Sequence, residues 1–420
     1  MLLQFNLTNF MSFKNEAIIS TIANKDKEHE SYLIPYRKEK VLPCLSIYGS
    51  NASGKTNINK ALVFAILFVR NSNMMQINDK INVIPFLLDD NSRNNKSRFD
   101  FSFVYENIKY DYGFVCDQTN VYEEYLYEYN TNKPSMIFER SNINEYRYST
   151  KTKKELTAIE ERNTNNKLFL STATMWNASF TKNAFMWFEK GIDVYDASNL
   201  EQSFVNILEK DINSETKNFM KKLLQNADMN IIDFELKVEK ANPNEIPLPP
   251  GVKLDERLNE QLLNNFKKWE LNTNHEVIEN GMKKHYSLPF QAESKGTMNL
   301  FYIGPVIKDA LSNGKTIVID EIDSGLHPIL VRYLISLFHD KKSNLKGAQL
   351  IFNTHDITQL SLNQFRRDQI YFVEKNNKNG VSDIYSLDEY APRKSENIQK
   401  GYLQGRYGAI PMIGVEEVLW

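Results

Sequence analysis

The 420-residue chain has only two cysteines, Cys44 and Cys116. They are too few and too far apart for a disulfide framework or a zinc site, and are expected as buried thiols in strands. Long hydrophobic runs are missing as well. No apolar stretch approaches the roughly 20 residues that cross a bilayer. The opening Met1-Leu2-Leu3-Gln4-Phe5-Asn6 lacks a basic segment followed by a long apolar one. A cytoplasmic protein with no membrane association is therefore expected. Nor is there an excess of one charge: 51 Lys and Arg face 53 Asp and Glu, for a formal charge of −2. Such a balance excludes a uniformly basic surface, so tight non-specific nucleic-acid binding is not expected from charge alone. Local clusters such as Lys151, Lys153 and Lys154 read as solvated faces. What remains is the composition of an ordinary globular protein, 41% hydrophobic and 25% charged, long enough for two or three folding units.

The organising stretch is Gly49-Ser50-Asn51-Ala52-Ser53-Gly54-Lys55-Thr56, two glycines separated by four residues and closed by Lys-Thr. Leu45 to Tyr48 form a mostly apolar strand before it. Ile58, Ala61, Leu62, Ala65, Ile66 and Val69 recur at helical spacing behind it. A glycine-rich turn between buried strand and helix aims backbone N–H groups at a polyphosphate, where the helix N-terminus also favours anions. In this pattern Lys55 reaches the β- and γ-phosphates and Thr56 offers its hydroxyl to Mg²⁺. A nucleotide, ATP with Mg²⁺, is the expected cofactor.

Along the chain, residues 2 to 24 read as a hairpin and 25 to 40 as a charged, irregular loop. From 97 to 130 the period becomes two: Phe99, Phe101 and Phe103, then Tyr110, Tyr112 and Phe114, then Tyr122, Tyr125, Tyr127 and Tyr129. These are antiparallel strands, and the aromatic stripe reads as a packed face rather than a base-stacking platform. Residues 151 to 228 look mainly helical. A strand near Ile231 to Val238, a stiff excursion through Pro243, Pro247, Pro249, Pro250 and Gly251, a polar helix near 254 to 268 and two short strands follow. The expected units are 1–150, carrying the phosphate loop and an antiparallel lobe; 151–285, a helical insertion; 286–390, the second half of the nucleotide head; and 391–420, a tail.

The pattern sharpens after Ala292. Thr316-Ile317-Val318-Ile319, apolar on both faces, reads as a central parallel strand ending in Asp320 and Glu321. A helix from about Pro328 to His339 follows, then the buried strand Gln349 to Phe352, ending in Asn353-Thr354-His355, and another at Ile370 to Val373. Ligands of open α/β sheets bind beyond the carboxyl ends of strands, where Lys55, Asp320, Glu321 and His355 all fall. Phosphoryl transfer to water needs gripped phosphates, a charge-neutralising metal and an oriented water. Asp320 is placed to hold Mg²⁺ with Thr56, Glu321 to polarise the water, and His355 to sense the γ-phosphate.

These residues together resemble the ABC-type ATPases of the SMC, RecF and OLD-like group. Asn9-Phe10-Met11-Ser12-Phe13 is similar to the opening strand of that group and Glu293-Ser294-Lys295-Gly296-Thr297 to its signature motif. Asp320-Glu321-Ile322-Asp323-Ser324-Gly325-Leu326-His327-Pro328 is similar to its extended acidic motif. The resemblance implies an α/β P-loop NTPase head with a mixed central sheet, an antiparallel β lobe and a helical insertion. It also implies a homodimer, or a higher even oligomer, in which Ser294 and Gly296 of one copy cover the γ-phosphate held by the other. Lys295 and Thr297 stand where transporter ATPases usually carry glycine and glutamine, and His327 where they commonly carry aspartate, which moves the reading away from transport. The segment Gly401-Tyr402-Leu403-Gln404-Gly405-Arg406-Tyr407-Gly408-Ala409-Ile410-Pro411 resembles the close of AbiLi/RloA-type ATPases of phage-defence loci. That implies an AAA-family switch controlling a separately encoded, nuclease-like effector. The residues alone also fit a turn that docks the tail through an Arg406 salt bridge. A DNA repair or recombination ATPase shares every motif and is the alternative, with nucleic acid as a partner.

Overall fold

In the computed structural model the described residues are 1–196, 200–211, 215–227, 229–240 and 267–411. Thr316–Ile319 is buried on both faces, and the reason is its position: it lies between two strands that both run parallel to it. The six-stranded sheet runs Ile192–Tyr195, Thr316–Ile319, Gln349–Asn353, Cys44–Tyr48, Ile370–Lys375, Ser382–Ser386, and only the last strand is antiparallel to its neighbour. Its registers set Ile319 beside Phe352 and Asn353 beside Ile47. Parallel pairing with matched ends therefore brings the residues after Tyr48, Ile319 and Phe352 to one edge.

Behind Cys44–Tyr48 the helix Lys55–Asn71 buries Ile58, Ala61, Leu62, Ala65, Ile66 and Val69, the apolar stripe expected from the sequence. Against it stands the seven-stranded antiparallel sheet Glu145–Tyr148, Ser135–Ser141, Val121–Tyr129, Ile108–Cys116, Ser97–Tyr105, Leu2–Thr8, Ala17–Ser20. Phe99, Phe101 and Phe103 pair directly across strands with Phe114, Tyr112 and Tyr110, and all six are buried in one hydrophobic core. Trp187 stacks on Phe103 with centroids 4.1 Å apart. Such aromatic pairs contribute roughly 0.5–1.5 kcal/mol each beyond the area they bury. The two sheets are tied by Gln349, whose side chain accepts from Leu2 N (2.7 Å) and donates to Leu2 O (3.0 Å). Both cysteines are free and buried, in the strands Cys44–Tyr48 and Ile108–Cys116.

Three expectations are corrected here. The stretch 25–40 is not all loop: Ile34–Tyr36 and Glu39–Val41 form a two-stranded hairpin. The stripe of Tyr122, Tyr125, Tyr127 and Tyr129 is not part of the packed face. These side chains are half-buried, while Glu124 and Leu126 between them point inward and are buried. Tyr125 donates to Asp100 (2.7 Å), Tyr129 to Asp111 (2.6 Å), and Tyr127 to Glu139. Glu124 can face the core because it accepts from the N–H groups of Phe169 (2.6 Å) and Leu170 (2.9 Å), at the start of the helix Phe169–Met175, with Arg140 3.8 Å away. The third correction concerns the first boundary. The chain divides into Met1–Asp196 with Ala310–Asp323 and Val331–Trp420, and Ala197–Asp309 with Ser324–Leu330. Residues 151–196 thus belong to the first unit, where Ile192–Tyr195 supplies the edge strand of the nucleotide sheet.

The second unit carries a three-stranded antiparallel sheet, Ile231–Lys240, Lys267–Glu279, Met282–Pro289, together with the helices Leu200–Asp211 and Glu215–Asn226 and most of Lys295–Asn313. Phe234 and Phe290 pack edge-on against Phe301. The insertion is therefore a helix-and-sheet layer, with strands longer than the short ones expected. The proline-bearing stretch Pro243 to Gly251 and the helix expected near 254 to 268 lie outside the described residues, except that Lys267 already opens a strand.

Candidate active site

The phosphate loop is shaped by two residues with backbones in the left-handed region, Ala52 (φ 60°) and Gly54 (φ 116°), the second directly before the helix Lys55–Asn71. The first N–H groups of any helix lack intrahelical partners, and here they open on a cavity. Gly49 is required for another reason. A Cβ there would stand 2.4 Å from Val373 O and 2.7 Å from Ser53 Oγ. The loop is also held from outside. Ser382 donates its hydroxyl to Ser53 O (2.6 Å) and its N–H to Ser12 O (2.8 Å), and Asn57 donates to Ser12 Oγ (2.8 Å).

A cavity of about 550 Å³ is lined by Asn51, Ala52, Ser53, Gly54, Lys55 and Thr56 from the loop, with Asp320, Glu321, Asn353, His355 and Lys375. Four candidates named from three strand ends, Lys55, Asp320, Glu321 and His355, thus line one cavity, together with Thr56. Gly49 and Ser50 sit at the root of the loop, where their carbonyls accept from Lys55 Nζ at 2.7 and 3.0 Å. Burial pushes the Lys55 ammonium down to about 8, although Asp320, Glu321 and Asp323 pull the other way. An anion entering beside it stabilises the charged form, so the site is electrostatically matched to polyphosphate.

Asp320 Oδ1 is buried with no hydrogen-bond partner. An orphaned carboxylate oxygen is costly unless a cation completes it, and Thr56 lines the same cavity. The described residues contain no cluster of three or more His, Cys, Asp or Glu placed to hold a metal. Mg²⁺ at a nucleotide needs none, because it is bound by one or two protein groups plus phosphates and water. The residues present therefore fit Mg²⁺.

Glu321 is exposed and adopts the left-handed backbone (φ 52°). A non-glycine residue there costs about 1–3 kcal/mol and persists only where its surroundings hold it. Three consecutive amides are held. Asp320 N–H donates to Tyr195 O (2.9 Å), Glu321 N–H to Asn353 Oδ1 (2.7 Å), and Ile322 N–H to Asn353 O (3.3 Å).

Ser294 and Gly296 belong to the second unit. Ser294 Oγ accepts from Thr297 N–H (3.1 Å) at the start of the helix Lys295–Asn313. A Cβ on Gly296 would lie 2.9 Å from Gly325 O. Asn299 donates to Ser324 O (2.6 Å), fastening the signature turn to the loop that follows the acidic motif. At the other end of the chain, Arg406 and Tyr407 both reach Glu396, and Tyr407 and Tyr402 stack on Phe372 at 5.9 and 5.4 Å. The docked-tail reading of that segment is the one its geometry supports.

Sequence reasoning passed over Ser12, Asn353, Lys375 and Ser382. Asn353 and Lys375 had a signal, since both end parallel strands at the ligand edge. Ser382 had none, because its role depends on a hairpin folding back over the loop.

A phosphate loop between strand and helix, a histidine just beyond the neighbouring strand and acids at the end of the strand after that define a P-loop nucleotide-binding head. The chain belongs to the family described as "AAA domain, putative AbiEii toxin, Type IV TA system", which matches residues 44–361. Comparison with curated protein sequences returns no match. Among solved structures, the SMC head domain from Thermotoga maritima is similar at 13% identity and a TM-score of 0.42, covering 92% of this chain and 98% of that one. An SmcHead bound to the C-winged helix domain of ScpA is 14% identical with a TM-score of 0.38, covering 92% and 97%. Among the described residues, no helix is long and apolar enough to cross a membrane.

Proposed function

We propose that this protein is an ATP-hydrolysing switch that closes as a homodimer around ATP and Mg²⁺ and controls a separate effector in bacterial antiphage defence. The observation that carries the nucleotide half is the single cavity lined by Lys55, Thr56, Asp320, Glu321 and His355. Lys55 grips the outer phosphates, and the loop amides hold the inner ones. Asp320 and Thr56 would hold Mg²⁺, which when bound neutralises charge on the phosphates. Glu321 accepts a proton from the attacking water, and His355 donates to the γ-phosphate.

Completion by a twin copy rests on the signature turn. Ser294 caps a helix start, where unpaired backbone N–H groups favour an anion, and Gly296 lets that turn pack closely on Gly325 O. ATP then acts through its differential affinity for open and closed states. The defence assignment rests on the AbiEii-type family match.

Mixing tests the architecture. Lys55→Ala and Ser294→Arg proteins, each inactive alone, regain ATP turnover when combined, because half of the composite sites in a mixed dimer escape both lesions. Absence of any recovery, with mixed dimers verified, refutes action in trans. For the biological half, phage protection by the operon carrying the wild-type gene is expected to vanish with Lys55→Ala.

A further inference from the structure

Every group assigned so far to the hydrolytic step reaches the cavity by its own side chain, but the backbone that aims Glu321 is strained and needs an external hold. We propose that Asn353 is the positioning residue for the Glu321 carboxylate, its side-chain amide fixing the general base in the orientation that attack on the terminal phosphate requires. The inference rests on the hydrolase reading above.

Three observations converge. Glu321 sits at φ 52°, a conformation its side chain does not favour. Its N–H donates to Asn353 Oδ1 at 2.7 Å, and the next amide, Ile322 N–H, donates to the backbone oxygen of the same residue at 3.3 Å. One residue therefore fixes the peptide planes on both sides of Glu321. Asn353 is itself buried, 1% exposed at the end of a fully buried strand whose register with Cys44–Tyr48 sets it beside Ile47. The hold thus refers Glu321 to the strand from which the phosphate loop springs.

The chemistry also assigns the amide's orientation. A backbone N–H requires an acceptor, so Oδ1 faces Glu321 and Nδ2 faces away. Nδ2 is buried without a protein partner, in a side chain that lines the cavity with Lys55, Asp320 and His355. A buried donor left unpaired is costly unless a ligand oxygen completes it, so the same amide has a donor to spare for the terminal phosphate or its water. An apolar residue of equal size would fill the space and do neither.

The test uses full-length protein with Asn353→Leu, which keeps the volume, and Asn353→Ala, read by steady-state ATP turnover and by fluorescent ATP binding. The expected result is a kcat about 10- to 100-fold lower, the range for losing an orienting partner, with KM and nucleotide affinity changed less than about threefold. Combined with Glu321→Gln, neither substitution lowers turnover further, because residues acting as a unit are not additive. Turnover within about twofold of wild type, an additive loss in the double variant, or loss of nucleotide binding in both variants would overturn the proposal. Lack of turnover by the wild-type protein itself would instead overturn the hydrolase reading on which it stands.

Discussion

The Lys55 ammonium makes nucleotide affinity depend on pH. Burial brings it from 10.5 to about 8 in the folded protein. It is then about nine-tenths charged at pH 7 and about one-tenth charged at pH 9. A polyphosphate engages the charged form, so apparent affinity should fall roughly tenfold between those values. A phosphate's own second ionisation, near pH 6, is over before the window opens. The empty protein moves the other way. Between about 8 and 10.5 the unfolded lysine binds more protons than the folded one, so stability attributable to this group rises with pH through that interval. The full rise is on the order of 3 kcal/mol. The assay is titration with a fluorescent ATP analogue at constant ionic strength from pH 7 to 9, beside melting curves for wild type and Lys55→Met, whose difference cancels other titrations. Equal affinity at both ends of the range, with a wild-type-to-variant stability gap that is flat in pH, would refute the account of a buried lysine awaiting an anion.

Other outcomes follow from the same geometry. Gly49→Ala should abolish nucleotide binding and lower the melting temperature, because the new methyl meets Val373 O, a backbone atom that cannot swing aside; binding within threefold of wild type would show that the loop is looser than its packing. Glu321→Gln should bind ATP normally, lose turnover by at least about 100-fold, and accumulate as a dimer in size-exclusion chromatography with ATP; turnover equal to wild type would remove Glu321 from the mechanism. Tyr407→Ala should cost about 3–5 kcal/mol in denaturant unfolding, by analogy with other buried aromatics cut to alanine, whereas Arg406→Ala, at an exposed ion pair, should cost no more than about 1 kcal/mol. The reverse ranking would mean that the tail is held by charge rather than by stacking on Phe372.

How much of this was legible beforehand depended on whether a signal was local. The phosphate loop, Asp320-Glu321 and His355 were readable because each ends an apolar run whose partners are also apolar runs, and parallel strands with matched ends leave them nowhere else to go. The edge strand Ile192–Tyr195 was not. Ile-Asp-Val-Tyr is short and mixed, and it is a strand only because Thr316–Ile319 lies beside it, so the first boundary was set too early. The tyrosine strand shows a subtler limit. Its period of two was evident, but period does not fix phase, and a one-residue choice decides which set faces the core. Tyr125, Tyr127 and Tyr129 are the more apolar set, yet Leu126 and Glu124 are the buried one. Burial of Glu124 is allowed by two N–H groups from Phe169 and Leu170 and by Arg140, all remote in sequence. Asn353 is the same lesson inside the active site. Beside a histidine and an acid motif an asparagine looks like a strand cap, and what distinguishes it is the left-handed turn of Glu321, a conformation only the folded chain displays. The residues proposed to perform the chemistry declared themselves by type, while the one proposed to aim it did so only by its partners.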